Sequence, residues 1–240
     1  MYDYELIKNI YHHIVNSLGY KSNDCIILNI ERMIQEKHPN IFMSDNKIRE
    51  DSQLGPETAS ANQRRINSGF YVRYMSGYGL DIGYRGAKKD VLTVLETAKG
   101  VELGDKGYDG INLPHPTESQ DYVYSSHMLE HVGTNNVDKT IQEWFRVLKK
   151  GGYLIVSVPS ADRYEKKTAT PSRFNCDHKR FYQPHTLLNE VYTALGSLSY
   201  PFYPYEVKHL MDCSAGFDRT IPPEKHSCGE YQIELVIQKL

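Results

Sequence analysis

The chain has 240 residues, 40% of them hydrophobic, and a formal charge of −2. That length buries one substantial core, enough for a single α/β domain with an appendage, and the near-neutral balance supplies no positive field to attract nucleic acid or an anionic membrane. No window approaches the roughly 18 consecutive apolar residues of a membrane helix, and the four cysteines (Cys25, Cys176, Cys213, Cys228) form no C-x-x-C pair, so the reading is a cytoplasmic protein with reduced thiols and no secretion signal.

Residues 4–18 place Leu6, Ile7, Ile10, Ile14, Val15 and Leu18 at helical spacing, and Gly19 suits the stop. A second helix, capped by Ser22, Asn23 or Asp24, runs to about Glu36 with Ile26, Ile27, Ile30, Met33 and Ile34 on one face. From Met43 to Asn67 the chain is polar and holds Gly55-Pro56, which predicts a surface connection, hinge or lid, with a short helix near Thr58–Tyr71. Residues 1–70 are thus read as an N-terminal helical cap, and 71–240 as the main domain.

After Gly77 short β-rich runs alternate with helical ones: Leu80–Ile82, Val91–Ala98, Gly100–Leu103, Tyr122–Ser125, Val137–Leu148 and Tyr153–Val158. Such alternation predicts βαβ units and a doubly wound, mainly parallel sheet. The helix over Val137–Lys149 turns Ile141, Trp144, Phe145 and Leu148 inward and stops at Gly151-Gly152. Residues 159–184 are too long for a plain connector and predict a functional loop. A helix over Thr186–Leu195 precedes two strands, about Glu206–Leu210 and Gln232–Gln238, with no helix between them, so an antiparallel pair closes the sheet.

The segment from Gly77 to Gly86 (Gly-Tyr-Gly-Leu-Asp-Ile-Gly-Tyr-Arg-Gly) is a short apolar run ending in an acid and glycines, the way a buried strand delivers backbone amides to a ligand. Together with Asp109-Gly-Ile-Asn-Leu-Pro114, the run from Asp121 to Val132 containing Leu129-Glu130-His131, and the run from Glu143 to Pro159, it resembles the class I S-adenosylmethionine-dependent methyltransferases. The likeness is to the small-molecule branch with a "LEH" segment after strand four. It covers about residues 77–160 and implies a seven-stranded Rossmann-like sheet. The family's first motif runs acid-x-Gly-x-Gly-x-Gly, and here Tyr84-Arg85 shift the second glycine by one, to Gly86.

The resemblance implies S-adenosylmethionine as cofactor and S-adenosylhomocysteine as product. Asp81, Gly83 and Gly86 would hold the cofactor's amino acid end, Glu102 the ribose diol with Asp105 as its rival, and Asp109 and Ile111 the adenine. Ser125 and Ser126 would face the sulfonium. His127 is the first candidate base, because a histidine titrates near neutrality, with His131 and His178 as further candidates. Most proteins with the LEH segment carry no metal, so none is assigned. The second reading is a divalent ion held by His127, Glu130 and His131, at i, i+3 and i+4, with His178 completing the set. The bases and aromatics of Asp162–Tyr182 suit a sugar-like or phosphorylated acceptor, and Arg64, Arg65 and Arg73 either reach an anionic group or lie on the surface. The N-terminal helices either cap the pocket or form a homodimer contact. O-methylation of a small metabolite is the leading reading, followed by N-methylation, a nicotinamide-dependent oxidoreductase, and a non-catalytic binding protein of methyltransferase fold.

Overall fold

The computed structural model describes residues 48–85, 90–165, 176–196, 204–222 and 229–240. The helices expected over 4–18 and 22–36 lie outside these residues, as does Gly86. In chain order the helices are α1 (Pro56–Asn67), α2 (Phe70–Tyr74), α3 (Val137–Val147) and α4 (Pro184–Gly196). The strands are β1 (Gly79–Ile82), β2 (Ala98–Val101), β3 (Gln120–Ser126), β4 (Leu148–Pro159), β5 (Tyr205–Asp212) and β6 (Gln232–Lys239). Leu129–His131 form a 3-10 turn and Ala161–Glu165 a π-helical turn.

The strands join in the order β2-β1-β3-β4-β6-β5. The first four are parallel, and β6 runs antiparallel to both neighbours. The late hairpin therefore closes the sheet as expected, but six strands, not seven, are found among the described residues. The stretch between β2 and β3 explains the difference. Gly104, Gly107 and Gly110 all take positive φ there, and the Asp105 and Asp109 carboxylates draw nearby backbone amides into turns, leaving no extended run to add an edge strand.

Period-two alternation assigns the sheet's two faces. Val123, Leu154, Val156, Leu235 and Ile237 pack with Ile141, Trp144 and Phe145 of α3 and Leu187 and Val191 of α4. Trp144 is fully buried. Tyr122, Tyr124, Ile155 and Val236 face the other way, onto Phe70, Tyr71, Tyr74 and Met75. Each such side chain contributes about 1.5–3 kcal/mol by leaving water. Helix α3 ends at Val147, two residues short of expectation, because Leu148 is already extended (φ −70, ψ 135) and starts β4.

Two readings of the segment before β1 are corrected. The helix expected as one piece is two, divided at Gly69, whose φ of +67 ends α1's path. Nor is this segment a surface connection: Ala61, Asn62 and Arg65 of α1 are buried against the sheet. Arg65 donates to Glu234 on β6 (2.6 Å), the Tyr124 hydroxyl on β3 (2.7 Å) and Ser157 on β4 (2.8 Å). Arg64 pairs with Glu230 (2.7 Å) and Glu234 (3.0 Å). Both arginines thus lock α1 to three strands and are spent as anchors, not held ready for a ligand.

Candidate active site

In an open parallel sheet, ligands bind beyond the carboxyl ends of the strands. Two cavities lie there. The outer one, about 390 Å³, is lined by Glu102, Asp109, Ile111, Met128 and His131. The inner one is small and is lined by Glu57, Thr58, Asp81, Tyr84, Ser126 and His127. Gly83 borders both. Its φ is +77, and a Cβ on it would stand 2.9 Å from Met128 Cγ, so only glycine turns the chain here without narrowing the passage.

Asp81 faces the inner cavity at the end of β1 and accepts a 2.6 Å hydrogen bond from the Val94 amide. Burial drives its carboxyl up to about 7, with Glu102 adding to the rise and the Val94 bond opposing it. That bond also settles the chain between β1 and β2. Residues 91–97, expected to form a regular run, are irregular and are held by this amide and by a lone bridge from Leu95 to Ile48. Tyr84 lies over Gly100 of β2, whose added Cβ would come 2.1 Å from the ring, and Arg85, where the resemblance places the second glycine, takes a φ of +65.

Glu102 lines the outer cavity, whereas its rival Asp105 is committed to the Glu102 amide at 2.8 Å. Asp109 also lines that cavity, but its carboxylate ties down its own turn. It accepts from the Ile111 and Asn112 amides (2.9 and 2.7 Å) and the Asn112 side chain (2.7 Å). The Asn112 contacts, first of all, keep its acidity above the ordinary. Ile111 offers the outer cavity an apolar wall. The two serines part company: Ser126 borders the inner cavity, while Ser125, one residue earlier on β3, faces the opposite side of the sheet, and its buried hydroxyl has no partner among the described residues.

His127 leaves β3 at φ +53, uncommon for a residue with a side chain, and its amide donates to Ser157 O at 2.8 Å. The ring stands in the inner cavity, edge-on to Tyr164 (6.1 Å between centroids). Burial lowers its pKa to about 4, with Glu57 pulling the other way. Leu129–His131 form a 3-10 turn, not the helical turn expected, yet the side chains converge. Glu130 is fully buried, and its Oε1 is 3.8 Å from His127 Nδ1, 3.8 Å from His131 Nε2 and 3.9 Å from His178 Nε2. His178 comes from the long loop, docked there by the Lys179 amide on Glu130 O (2.8 Å). Its Nδ1 is held by the buried Glu165, and its ring stacks on Tyr164.

Several of these residues escaped the sequence reading. Glu57 and Thr58 lie in what reads as a polar connector, and Glu165 carries no motif. Nothing in spacing alone brings Glu165 and Asp177 to opposite flanks of the same histidine pair. Of the loop's described cations, Arg163 pairs with Asp212 and Arg180 with Glu190, while Lys179 lines the outer cavity.

The outer cavity falls within the range of small-ligand pockets, about 300–1,000 Å³, and combines a carboxylate at Glu102, apolar walls at Ile111 and Met128, and close backbone approach at Gly83. That set fits a nucleoside bearing a diol. The inserted antiparallel β6 departs from the order of dinucleotide-binding sheets. Sheet order and reversed hairpin are those that the resemblance to the class I S-adenosylmethionine-dependent methyltransferases implies. Residues 107–156 match the family described as a methyltransferase domain. Similar solved structures are S-adenosylmethionine-dependent methyltransferases of Thermotoga maritima (15% identity, 88% of this chain and 98% of that one, TM-score 0.44) and Archaeoglobus fulgidus (16%, 77% and 95%, 0.45). A third is from Aquifex aeolicus (13%, 84% and 98%, 0.43). No curated protein matches. Among the described residues, no helix is long and apolar enough to cross a membrane.

Proposed function

We propose that the enzyme methylates an oxygen of a small hydroxylated metabolite. When bound, S-adenosylmethionine supplies an electrophilic methyl group on a sulfonium. Glu102 would hold its ribose, Ile111 and Met128 its base, and Asp81 with the Gly83 backbone its amino acid end. The observation that carries the acceptor assignment is the His127 imidazole in the inner cavity, which shares Gly83 as a lining residue with the outer one. The acceptor hydroxyl gives its proton to His127, its oxygen bonds to the methyl carbon, and the carbon–sulfur bond breaks with its electron pair going to sulfur. Pairing of Arg163 and Arg180 with carboxylates favours a neutral, sugar-like acceptor over a phosphorylated one.

The test is incubation with S-adenosylmethionine and a panel of polyols, sugars, phenols and amines, read by mass spectrometry for a gain of one methylene. Methylation of amines alone would transfer the reading to nitrogen. With an acceptor in hand, His127→Asn should lower kcat by about 10²–10⁴-fold, the usual worth of a general base, while S-adenosylhomocysteine binding persists. Turnover close to wild type removes His127 from the chemistry.

A further inference from the structure

We propose that Glu130, His131 and His178 bind a divalent transition-metal ion where the two cavities meet. The argument starts from Glu130. Its side chain is fully buried, and neither carboxylate oxygen finds a hydrogen-bond partner in another residue among those described. A buried carboxylate without a partner is costly, and proteins keep one where a cation or a hydrogen-bond set compensates it. The imidazole nitrogens around it, at 3.8–3.9 Å, are beyond hydrogen-bonding reach. They are at the spacing of ligands about a shared ion, because two ligands each about 2.0–2.2 Å from one ion lie at most about 4.4 Å apart. One ligand atom from each of Glu130, His131 and His178 lies within 4.8 Å of the others.

The outer contacts of the two histidines point the same way. Metal-binding imidazoles commonly donate their other ring N–H to a carboxylate, which fixes the tautomer and aims the free nitrogen at the ion. Both do so here. His178 Nδ1 is held by Glu165, and His131 Nδ1 lies 3.1 Å from Asp177 Oδ2, so each Nε2 is turned toward Glu130. The rings meet edge-to-face with centroids 4.7 Å apart. Glu130 and His131 come from the turn after β3, and Asp177 and His178 from the loop after β4, so the site exists only when that loop is docked.

Two imidazoles and one carboxylate suit a first-row transition ion such as Zn²⁺, Mn²⁺ or Co²⁺ rather than Mg²⁺ or Ca²⁺, which favour all-oxygen shells. Three protein ligands leave further positions open. His131 lines the outer cavity and His127, 3.8 Å from Glu130, lines the inner one, so an acceptor hydroxyl would meet the ion beside its base. This role rests on the proposed O-methylation, whereas ion binding does not.

The test uses the full chain, stripped with chelator and dialysed. Titration with Co²⁺ should give one equivalent and a visible d–d absorption of nitrogen and oxygen ligation, displaced by Zn²⁺. His131→Ala and His178→Ala should each weaken Co²⁺ at least tenfold, and the positioning variant Glu165→Gln by about 10–100-fold, with an unchanged far-ultraviolet circular dichroism spectrum in all three as the check on folding. Absence of stoichiometric Co²⁺ or Zn²⁺ binding overturns the proposal, as does binding that survives both histidine variants. Failure of the methyl-transfer reading would leave these spectra unchanged, so the two are separable.

Discussion

The ion pair beneath the sheet offers the sharpest test of how α1 is held. The Arg65 guanidinium has no exposure, and Glu234, also buried, is its only charged hydrogen-bond partner among the described residues, at 2.6 Å. Burial alone would lower the arginine's pKa, but Tyr124 and Glu234 hold it above the ordinary value. Burial alone would raise Glu234, and Arg65 with His209 and Arg64 holds it well below. Glu234→Gln leaves the guanidinium buried among neutral groups, and breaking such a pair costs about 3–5 kcal/mol. At this chain length each kcal/mol moves Tm by about 2–4 °C, so the midpoint should fall by about 6–20 °C. Arg65→Met should cost less, because Glu234 keeps Arg64 at 3.0 Å and His209 at 3.2 Å. The double variant Arg65→Met/Glu234→Leu removes both charges and should be more stable than Glu234→Gln alone, as apolar replacement of a whole buried pair often is. Urea unfolding followed by fluorescence measures all three. A loss under about 1 kcal/mol for Glu234→Gln, or strict additivity in the double variant, would refute the reasoning.

Asp81 should set a pH dependence. Its carboxyl titrates near 4 when unfolded and at about 7 when folded, so the contribution to stability is complete below about pH 4 and is lost as pH rises toward 7. Asp81→Asn should therefore gain on the wild type across that window by up to about 4 kcal/mol, and parallel stability curves would remove the effect. Gly83→Ala should cost about 1–3 kcal/mol in stability through its positive φ and weaken S-adenosylhomocysteine by calorimetry. Unchanged stability would mean the turn relaxes freely. Glu102→Ala should weaken the same ligand by about 1–3 kcal/mol, and unaltered affinity would move the ribose contact elsewhere.

Much of the fold was legible because local rules carry it. Alternation in Tyr122–Ser126 and helical spacing through Ile141, Trp144 and Phe145 each fix an element and its buried face from neighbours in sequence. The parts that were not legible involve competition between side chain and backbone. Asp105 and Asp109 pull amides into turns between β2 and β3, and Gly69 splits one helix into two. At the site, the residues after β1 and β3 were identifiable from order and glycine spacing, but Arg64 and Arg65 could not be separated from solvated or ligand-binding arginines. Their partners, Glu230 and Glu234, lie some 165–170 residues away.

By itself, then, the sequence determined the strand-and-helix order and the acids and glycine that line the cavities beyond the strand ends. Those follow from periodicity and backbone freedom, which act over a few residues. Only the tertiary structure decided which histidines share a carboxylate, that Ser126 and not Ser125 reaches the cavity, and that Glu165 and Asp177 orient His178 and His131. Such relations depend on the docking of a loop after β4 against a turn after β3, and no local pattern encodes a distance between segments that meet only once the sheet has formed.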